Sequence, residues 1–126
     1  MRKAIHSEQA PAAIGSYSQA IEAGNTIYLS GQIPMDANTM ALVPGDMSAQ
    51  VIQIFENMKT VLEAANSSLD EVVKLTVYLT HLADVVFVNE GIATYFKQPF
   101  PARTTIQVVA LPKQAAVEIE AIAVRS

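Results

Sequence analysis

The chain has 126 residues, of which 51% are hydrophobic and only 16% are charged, against about 25% charged in an ordinary soluble domain. This length suits one domain, residues 1–126, and so apolar a chain can offset its ordering entropy by burial, which excludes intrinsic disorder. The net charge of −4 argues against binding to nucleic-acid phosphates, and the absence of cysteine excludes disulfides and Cys-ligated zinc.

The hydrophobic residues are not arranged for a membrane. No run of 18 apolar residues occurs, and the first eight residues lack the apolar core of a signal peptide. We therefore expect a soluble, cytoplasmic protein. So few charges leave too little polar surface to cover a small domain, and part of the surface is expected to be buried against other subunits.

The first forty residues predict strands joined by turns. Residues 26–33 are rich in β-branched and aromatic side chains and follow the turn dipeptide Gly24-Asn25, which is typical of a strand. A weaker strand is predicted over 15–21. Pro34 and the stretch over 36–44 predict a loop.

Helical periodicity begins at Asp46. One apolar stripe predicts a helix of nearly twenty residues that ends at Asn66-Ser67, and a strand with clean alternation follows over 72–80. A second helix is predicted over 85–96, which Asp84 could cap and which two nearby prolines stop. The residues of the first stripe are Met47, Val51, Ile54, Met58, Val61 and Ala65.

Two further strands, over 104–111 and 116–124, complete an α+β fold with one mixed sheet and two helices packed on one face. The last strand is apolar on both sides. Val117, Ile119, Ala121 and Ala123 form one side, whereas Ile122 and Val124 share the other with Glu118 and Glu120. Such a strand needs cover on both faces, and we expect neighbouring subunits to cover the face that the helices leave open.

Few side chains are candidates for chemistry. The two histidines, His6 and His81, do not have metal-ligand spacing, and no phosphate-binding glycine loop or Gly-x-Ser-x-Gly turn occurs, so neither a metal nor another cofactor is predicted. Ser30-Gly31 would place a hydroxyl and a close backbone beside a ligand, or would mark a bend in a strand.

The charged candidates are Arg103, Glu118 and Glu120. Arg103 begins a predicted strand and needs a partner, because its charge cannot be removed. The pattern favours a structural ion pair with Glu118 or Glu120, and the other interpretation is a clamp for a substrate carboxylate. The two glutamates point to the same face, where one of them is a candidate general base for water.

Four segments carry a family resemblance: APAAIGSYSQA (10–20), LSGQIP (29–34), FPART (100–104), and LPK (111–113) followed by VEIEAIAVR (117–125). In this order they resemble signatures of the RidA/YjgF family. The likeness extends almost from end to end. It implies a chorismate-mutase-like fold and a homotrimer with active sites in the clefts between subunits. The implied activity is cofactor-free hydrolytic deamination of reactive 2-imino acids, such as 2-iminobutanoate and 2-iminopropanoate, to 2-oxo acids and ammonia.

The resemblance also assigns roles to residues. Arg103 would bind the substrate carboxylate, Glu118 would position the attacking water, and Tyr17, Ser30 and Gly31 would line the cleft. Thr105, where many members carry cysteine, would supply only a backbone contact. Together with Thr104 and a short segment over 89–100, this departure leaves the preferred imino acid open.

Two other classes of function stay open at this point. Some relatives are described as endoribonucleases and translation inhibitors, but a charge of −4 without basic clusters weighs against RNA. The other class is a non-catalytic protein that binds small carboxylates or acts as a holdase.

Overall fold

The computed structural model describes all 126 residues, which build one six-stranded sheet and two α-helices. The strand order is β1-β2-β3-β6-β4-β5, and β4 and β5 form the one parallel pair. The helices are α1 (Met47–Ala64) and α2 (Val85–Tyr95), and the strands are β1 (Arg2–Ile5), β2 (Ala20–Ala23), β3 (Thr26–Gln32), β4 (Val72–Leu79), β5 (Ala102–Gln107) and β6 (Val117–Val124). Single 3₁₀ turns cover Leu69–Glu71 and Leu82–Asp84, and residues 112–114 form a turn with left-handed backbone at Lys113 and Gln114.

The architecture confirms the α+β class and the predicted β3, β4, β6, α1 and α2. Three strand predictions need correction. The four residues of β1 were not predicted, because a segment so short carries no alternation to recognise. The strand expected over 15–21 lies at Ala20–Ala23, and the strand expected over 104–111 lies at Ala102–Gln107. In both cases hydrogen bonding to the neighbouring strand, and not local composition, sets the bounds.

The two helices begin differently. The Asp46 side chain accepts a hydrogen bond from the Ala49 N–H at 3.0 Å and caps α1. The expected cap at Asp84 is wrong: its backbone is already helical and its side chain makes no capping bond. The turn Leu82–Asp84 leads directly into α2, which leaves no extended residue in the cap position.

Both helices pack on one face of the sheet, and the alternation of β6 decides which side chains they bury. Val117, Ile119, Ala121 and Ala123 are buried in the main core. On the opposite face, Tyr28, Ile106 and Val124 keep 42–49% of their surface exposed. Neither helix is long and apolar enough to cross a membrane.

Close contact between the helices depends on Gly91, which is buried in α2 against α1. A Cβ atom at this position would lie 2.5 Å from Val51 Cγ1 and 3.1 Å from Phe55 Cε2. Both neighbours are fully buried, and a β-branched valine has few other rotamers available. The absence of a side chain therefore sets the distance at which α2 packs.

We expect Gly91→Ala to destabilise the protein by about 1–3 kcal/mol, although alanine is the better helix former, because overpacking outweighs the gain in helix propensity. Urea denaturation followed by circular dichroism measures the change. Glu90→Ala, an exposed change on the same helix, should alter stability by less than about 0.5 kcal/mol. A higher urea midpoint for Gly91→Ala would contradict this account of the helix contact.

Candidate active site

Four of the predicted site residues line one cavity of about 540 Å³, the largest in the chain. They are Tyr17, Ser30, Gly31 and Glu118. The walls come from the loop between β1 and β2, from the end of β3 with the loop that follows it, and from the turn before β6. The cavity therefore collects residues from both ends of the chain, which the central pairing of β3 with β6 brings together.

Ser30 and Gly31 form a bulge in β3. The register passes from Leu29 opposite Ala121 to Gln32 opposite Ile119, so two residues on β3 oppose Glu120 alone. The bulge presses the Gly31 backbone against the Glu118 side chain. A Cβ at Gly31 would overlap that carboxylate, lying 2.9 Å from its Cδ atom. The structure shows the strand bend, one of the two alternatives from the sequence, and the close backbone approach that it shows is to the Glu118 side chain.

Glu118 is the half-buried acid of the cavity. Burial, and secondarily the negative charge of Glu120, raise the pKa of the Glu118 carboxyl above its ordinary value. No hydrogen bond contributes to the pKa of Glu118. Its oxygens are therefore available to a water or a ligand.

Glu120 has a different environment. It points to the same face as Glu118 but does not line the cavity, and its Oε1 accepts a hydrogen bond of 2.8 Å from the Tyr78 hydroxyl. That hydrogen bond also raises the pKa of the Tyr78 phenol. The two glutamates of β6 are thus distinct: one is free in the cavity, and the other is bound to a neighbouring strand.

Tyr17 and Ser30 also make bonds that hold the cavity together. The Ser30 hydroxyl donates to the Ser18 carbonyl at 2.6 Å, which ties the bulge to the β1–β2 loop. The Tyr17 hydroxyl accepts from the Ile14 N–H at 3.3 Å, and 54% of the residue is exposed. Both hydroxyls keep a lone pair free to accept a further hydrogen bond.

Arg103 lies elsewhere, in a groove of about 450 Å³ between α2 and β5. Its Nη1 donates to Asn89 Oδ1 at 2.6 Å. The ion pair expected with Glu118 or Glu120 is wrong, because β4 lies between β5 and β6. The ion pair would require β5 and β6 to be neighbours, and they are not.

The sheet also separates Arg103 from Glu118 by face. Arg103 is in register with Leu75, which is buried under the helices, whereas Glu118 is in register with Tyr78 on the open face. Cross-strand partners share a face, and positions three apart on one strand do not. The two side chains thus lie on opposite faces, and their backbone positions differ by two strand spacings across the sheet and by three residues along it, about 10 Å in each direction.

The threonines on β5 follow the same alternation. Thr105 is in register with Val77 on the helix side, and its hydroxyl is buried without a hydrogen-bond partner. Thr104 is on the open face, where its Oγ1 accepts a hydrogen bond of 2.9 Å from Lys74 Nζ. Neither threonine lines the Glu118 cavity.

Several lining residues were not predicted. Met35 and Lys113 line the Glu118 cavity, and Asn89 bonds Arg103. Lys113 was part of a recognised motif, so a signal existed. The sequence carried no signal for Asn89, because its hydrogen bond with Arg103 forms only when α2 packs beside β5. No group of three or more His, Asp or Glu side chains is placed to hold a metal ion.

Comparison with known proteins gives concordant matches over nearly the whole chain. The family model described as endoribonuclease L-PSP matches residues 7–125. Protein DfrA of Myxococcus xanthus is 53% identical over 98% of this chain and 95% of its own length. The 2-iminobutanoate/2-iminopropanoate deaminase of Rattus norvegicus is 48% identical over 99% of this chain and 91% of its own. The crystal structure of RidA from an Antarctic Psychrobacter superposes with a TM-score of 0.93 at 48% identity, covering 97% of this chain and 98% of that one.

The contact between Gly31 and Glu118 predicts the effect of Gly31→Ala. The new methyl group should move the flexible carboxylate into water and leave the fold intact. Because burial is the main cause of the raised pKa, the pKa of Glu118 should fall toward that of an ordinary glutamate. A pH titration of the Glu118 carboxyl carbon by ¹³C NMR measures this change.

Glu120→Gln is the matched control for that titration. This variant removes the negative charge of Glu120, the smaller cause of the raised pKa of Glu118, and leaves the contact between Glu118 and Gly31. The pKa of Glu118 should therefore fall by less than in Gly31→Ala. A folded Gly31→Ala variant with an unchanged Glu118 pKa would show that the close contact does not control this carboxylate.

Proposed function

The chain belongs to the endoribonuclease L-PSP family, also known as the RidA/YjgF family, and from that premise we propose that it hydrolyses reactive 2-imino acids to 2-oxo acids and ammonia. The observation that carries the proposal is the Glu118 carboxylate, half-buried and without hydrogen bonds of its own in the largest cavity. A carboxylate in that setting suits a general base for water. Relatives that bear the deaminase name, at 43–48% identity, add support.

We further propose that the site is shared between the subunits of a homotrimer. Arg103 and Glu118 are both expected in the site, yet they belong to opposite faces of one sheet. A second copy whose β5 approaches the open face would bring its own Arg103 toward Glu118. The exposed apolar residues Ile106 and Val109, at and just beyond β5, suit such an interface.

In this proposal Arg103 of one subunit binds the substrate carboxylate through its planar fork. The imino carbon then lies over Gly31 and beside Glu118 of the next subunit. Holding the reacting groups in this way removes several kcal/mol of entropic barrier. Asn89 restricts the guanidinium by its 2.6 Å bond, so the clamp is oriented before substrate arrives.

The reaction itself needs few groups. Glu118 accepts a proton from water as the water oxygen bonds to C2 of the iminium, which gives a carbinolamine. Glu118 then returns the proton to the nitrogen and the C–N bond breaks, so that ammonia leaves. The Glu118 carboxylate takes the proton of the hydroxyl, which becomes the C=O of the 2-oxo acid, and passes it to the ammonia, which departs as ammonium. A raised pKa suits both steps, because the group must accept and donate a proton near neutral pH.

RNA cleavage is the second candidate, and the description of the family model is what favours it. The net charge of −4 is unfavourable to RNA binding, and Lys113 is the one cation lining the cavity. Cleavage of RNA that persists in Arg103→Ala would favour this candidate over imine hydrolysis.

The first test is a competition assay in which threonine dehydratase generates 2-iminobutanoate in the presence of semicarbazide, a trap that gives an absorbing product. The wild type should lower the rate of trapping. Arg103→Ala should fail to do so, and Glu118→Gln should lose about 10²–10⁴-fold of the turnover. The matched variant Glu120→Gln should lose far less turnover than Glu118→Gln, because Glu120 lies outside the cavity and is only the smaller cause of the raised pKa of Glu118.

Two results would reject parts of this proposal. No effect of the wild type on imines derived from threonine, alanine or leucine would reject the hydrolase activity. Turnover that survives in Glu118→Gln would reject the role of Glu118. A protein that only binds small carboxylates would need Arg103 and be indifferent to Glu118→Gln.

The shared site makes a separate prediction for mixed trimers. When inactive Arg103→Ala and Glu118→Gln chains are refolded together in equal amounts, about a quarter of the sites combine an intact arginine with an intact glutamate. Turnover should therefore recover to about a quarter of the wild-type value. Mixed trimers without recovered turnover, or a stable monomer in sedimentation, would contradict the shared site.

A further inference from the structure

The polar residues that are buried as whole residues are all associated with the Glu118 cavity. Three such residues exist: Gln19, Gln32 and Asn57, each with at most 7% of its surface exposed. Gln19 and Gln32 line the cavity, and Asn57 binds the backbone of Met35, which also lines it. Burial of an amide costs free energy unless its hydrogen bonds are satisfied, so this distribution requires a reason.

Gln19 holds the loop between β1 and β2. Its Oε1 accepts a hydrogen bond of 2.7 Å from the Ser7 N–H, and its Nε2 donates to the carbonyls of Ser7 at 3.0 Å and Pro11 at 2.8 Å. Residues 6–19 contain no helix or strand. With a longer bond of 3.5 Å from Nε2 to the Ala10 carbonyl, one buried amide makes four bonds to a segment without a regular backbone ladder. That segment carries the cavity residues Pro11, Ile14 and Tyr17.

Asn57 acts in the same way on the opposite wall. It lies in α1, and its Nδ2 donates to the Met35 carbonyl at 2.9 Å. Its Oδ1 accepts a hydrogen bond of 2.8 Å from Gln53 Nε2. Residues 33–46 contain no helix or strand apart from a single bridge between Met35 and Leu42. The first residues of this segment are cavity residues, so Asn57 fixes where that wall begins.

We propose that Gln19 and Asn57 are positioning residues, which hold the two loops in the shape that receives the substrate side chain. This inference rests on the proposed function, since it assigns the cavity to the imino acid. Loops that were not fixed in advance would have to be ordered on binding, and that cost would be subtracted from the affinity. The chemical step depends on Arg103 and Glu118, which neither amide contacts.

The test compares Gln19→Met and Asn57→Ala with the wild type by hydrogen exchange and by steady-state kinetics. Amide exchange over 7–17 should accelerate in Gln19→Met, and exchange over 33–43 should accelerate in Asn57→Ala. For each variant KM should rise about tenfold while kcat changes less than about threefold, because binding that is common to substrate and transition state is lost.

Gln53→Met is the matched control. This variant removes the hydrogen bond from Gln53 Nε2 to Asn57 Oδ1 but leaves the bond from Asn57 to the Met35 carbonyl. Amide exchange over 33–43 and KM should therefore stay at wild-type values. Should Asn57→Ala fail to fold, the results for Gln19→Met alone decide whether the positioning role stands. Faster loop exchange with an unchanged KM, or a uniform loss of stability without local acceleration, would overturn the positioning role.

The readouts separate this inference from the proposed function. A wild-type protein that does not hydrolyse imines overturns the proposed function by itself. The positioning of the loops is then judged by the exchange pattern alone, with local acceleration supporting it and its absence overturning it. An active wild type with kinetically normal variants rejects the positioning role and leaves the proposed function intact.

Discussion

The alternation of β6 is the constraint on which both the core and the site depend. This strand pairs with β3 on one side and β4 on the other, so it is central to the sheet. Its odd-numbered residues, from Val117 to Ala123, fill the core under the helices. The same period places Glu118 and Glu120 on the open face. A slip of one residue in register would bury both carboxylates and expose the core, so packing energy fixes the position of the site acid.

The same alternation explains why one chain does not bring together an arginine and a glutamate that the sequence predicts in one site. Arg103 lies on the face of β5 that the helices cover, and Glu118 lies on the open face of β6. The open face also carries exposed apolar residues on a chain with few charges. In our proposal, a second copy that packs on the open face covers these apolar residues. The same contact brings its Arg103 close to Glu118. This link makes subunit association part of the chemistry in our proposal and not only a matter of stability.

Sequence patterns predicted the regular elements well, because α1, β4 and β6 carry long and consistent periodicities. They failed where position depends on pairing between strands. The order of β4, β5 and β6 cannot be obtained from local composition, and the supposed ion pair of Arg103 depended on that order. The Ser30-Gly31 motif was recognised, but the bulge that presses Gly31 on Glu118 follows from the register with β6. The Gln19 and Asn57 contacts with main-chain atoms leave no pattern in the sequence at all.

The positions of the buried polar residues show that the fold and the cavity are held together by different interactions. A sheet covered by two helices is stabilised by apolar contacts, and only three of the buried residues of this chain are polar. Loops, however, expose main-chain groups that a hydrophobic neighbour cannot satisfy. Where a loop must form a wall of fixed shape, a buried amide is a suitable anchor, because it donates and accepts at the same point. Gln19 and Asn57 meet this need on the two walls beside Glu118, which is why the desolvation of polar side chains is concentrated there and not spread through the core.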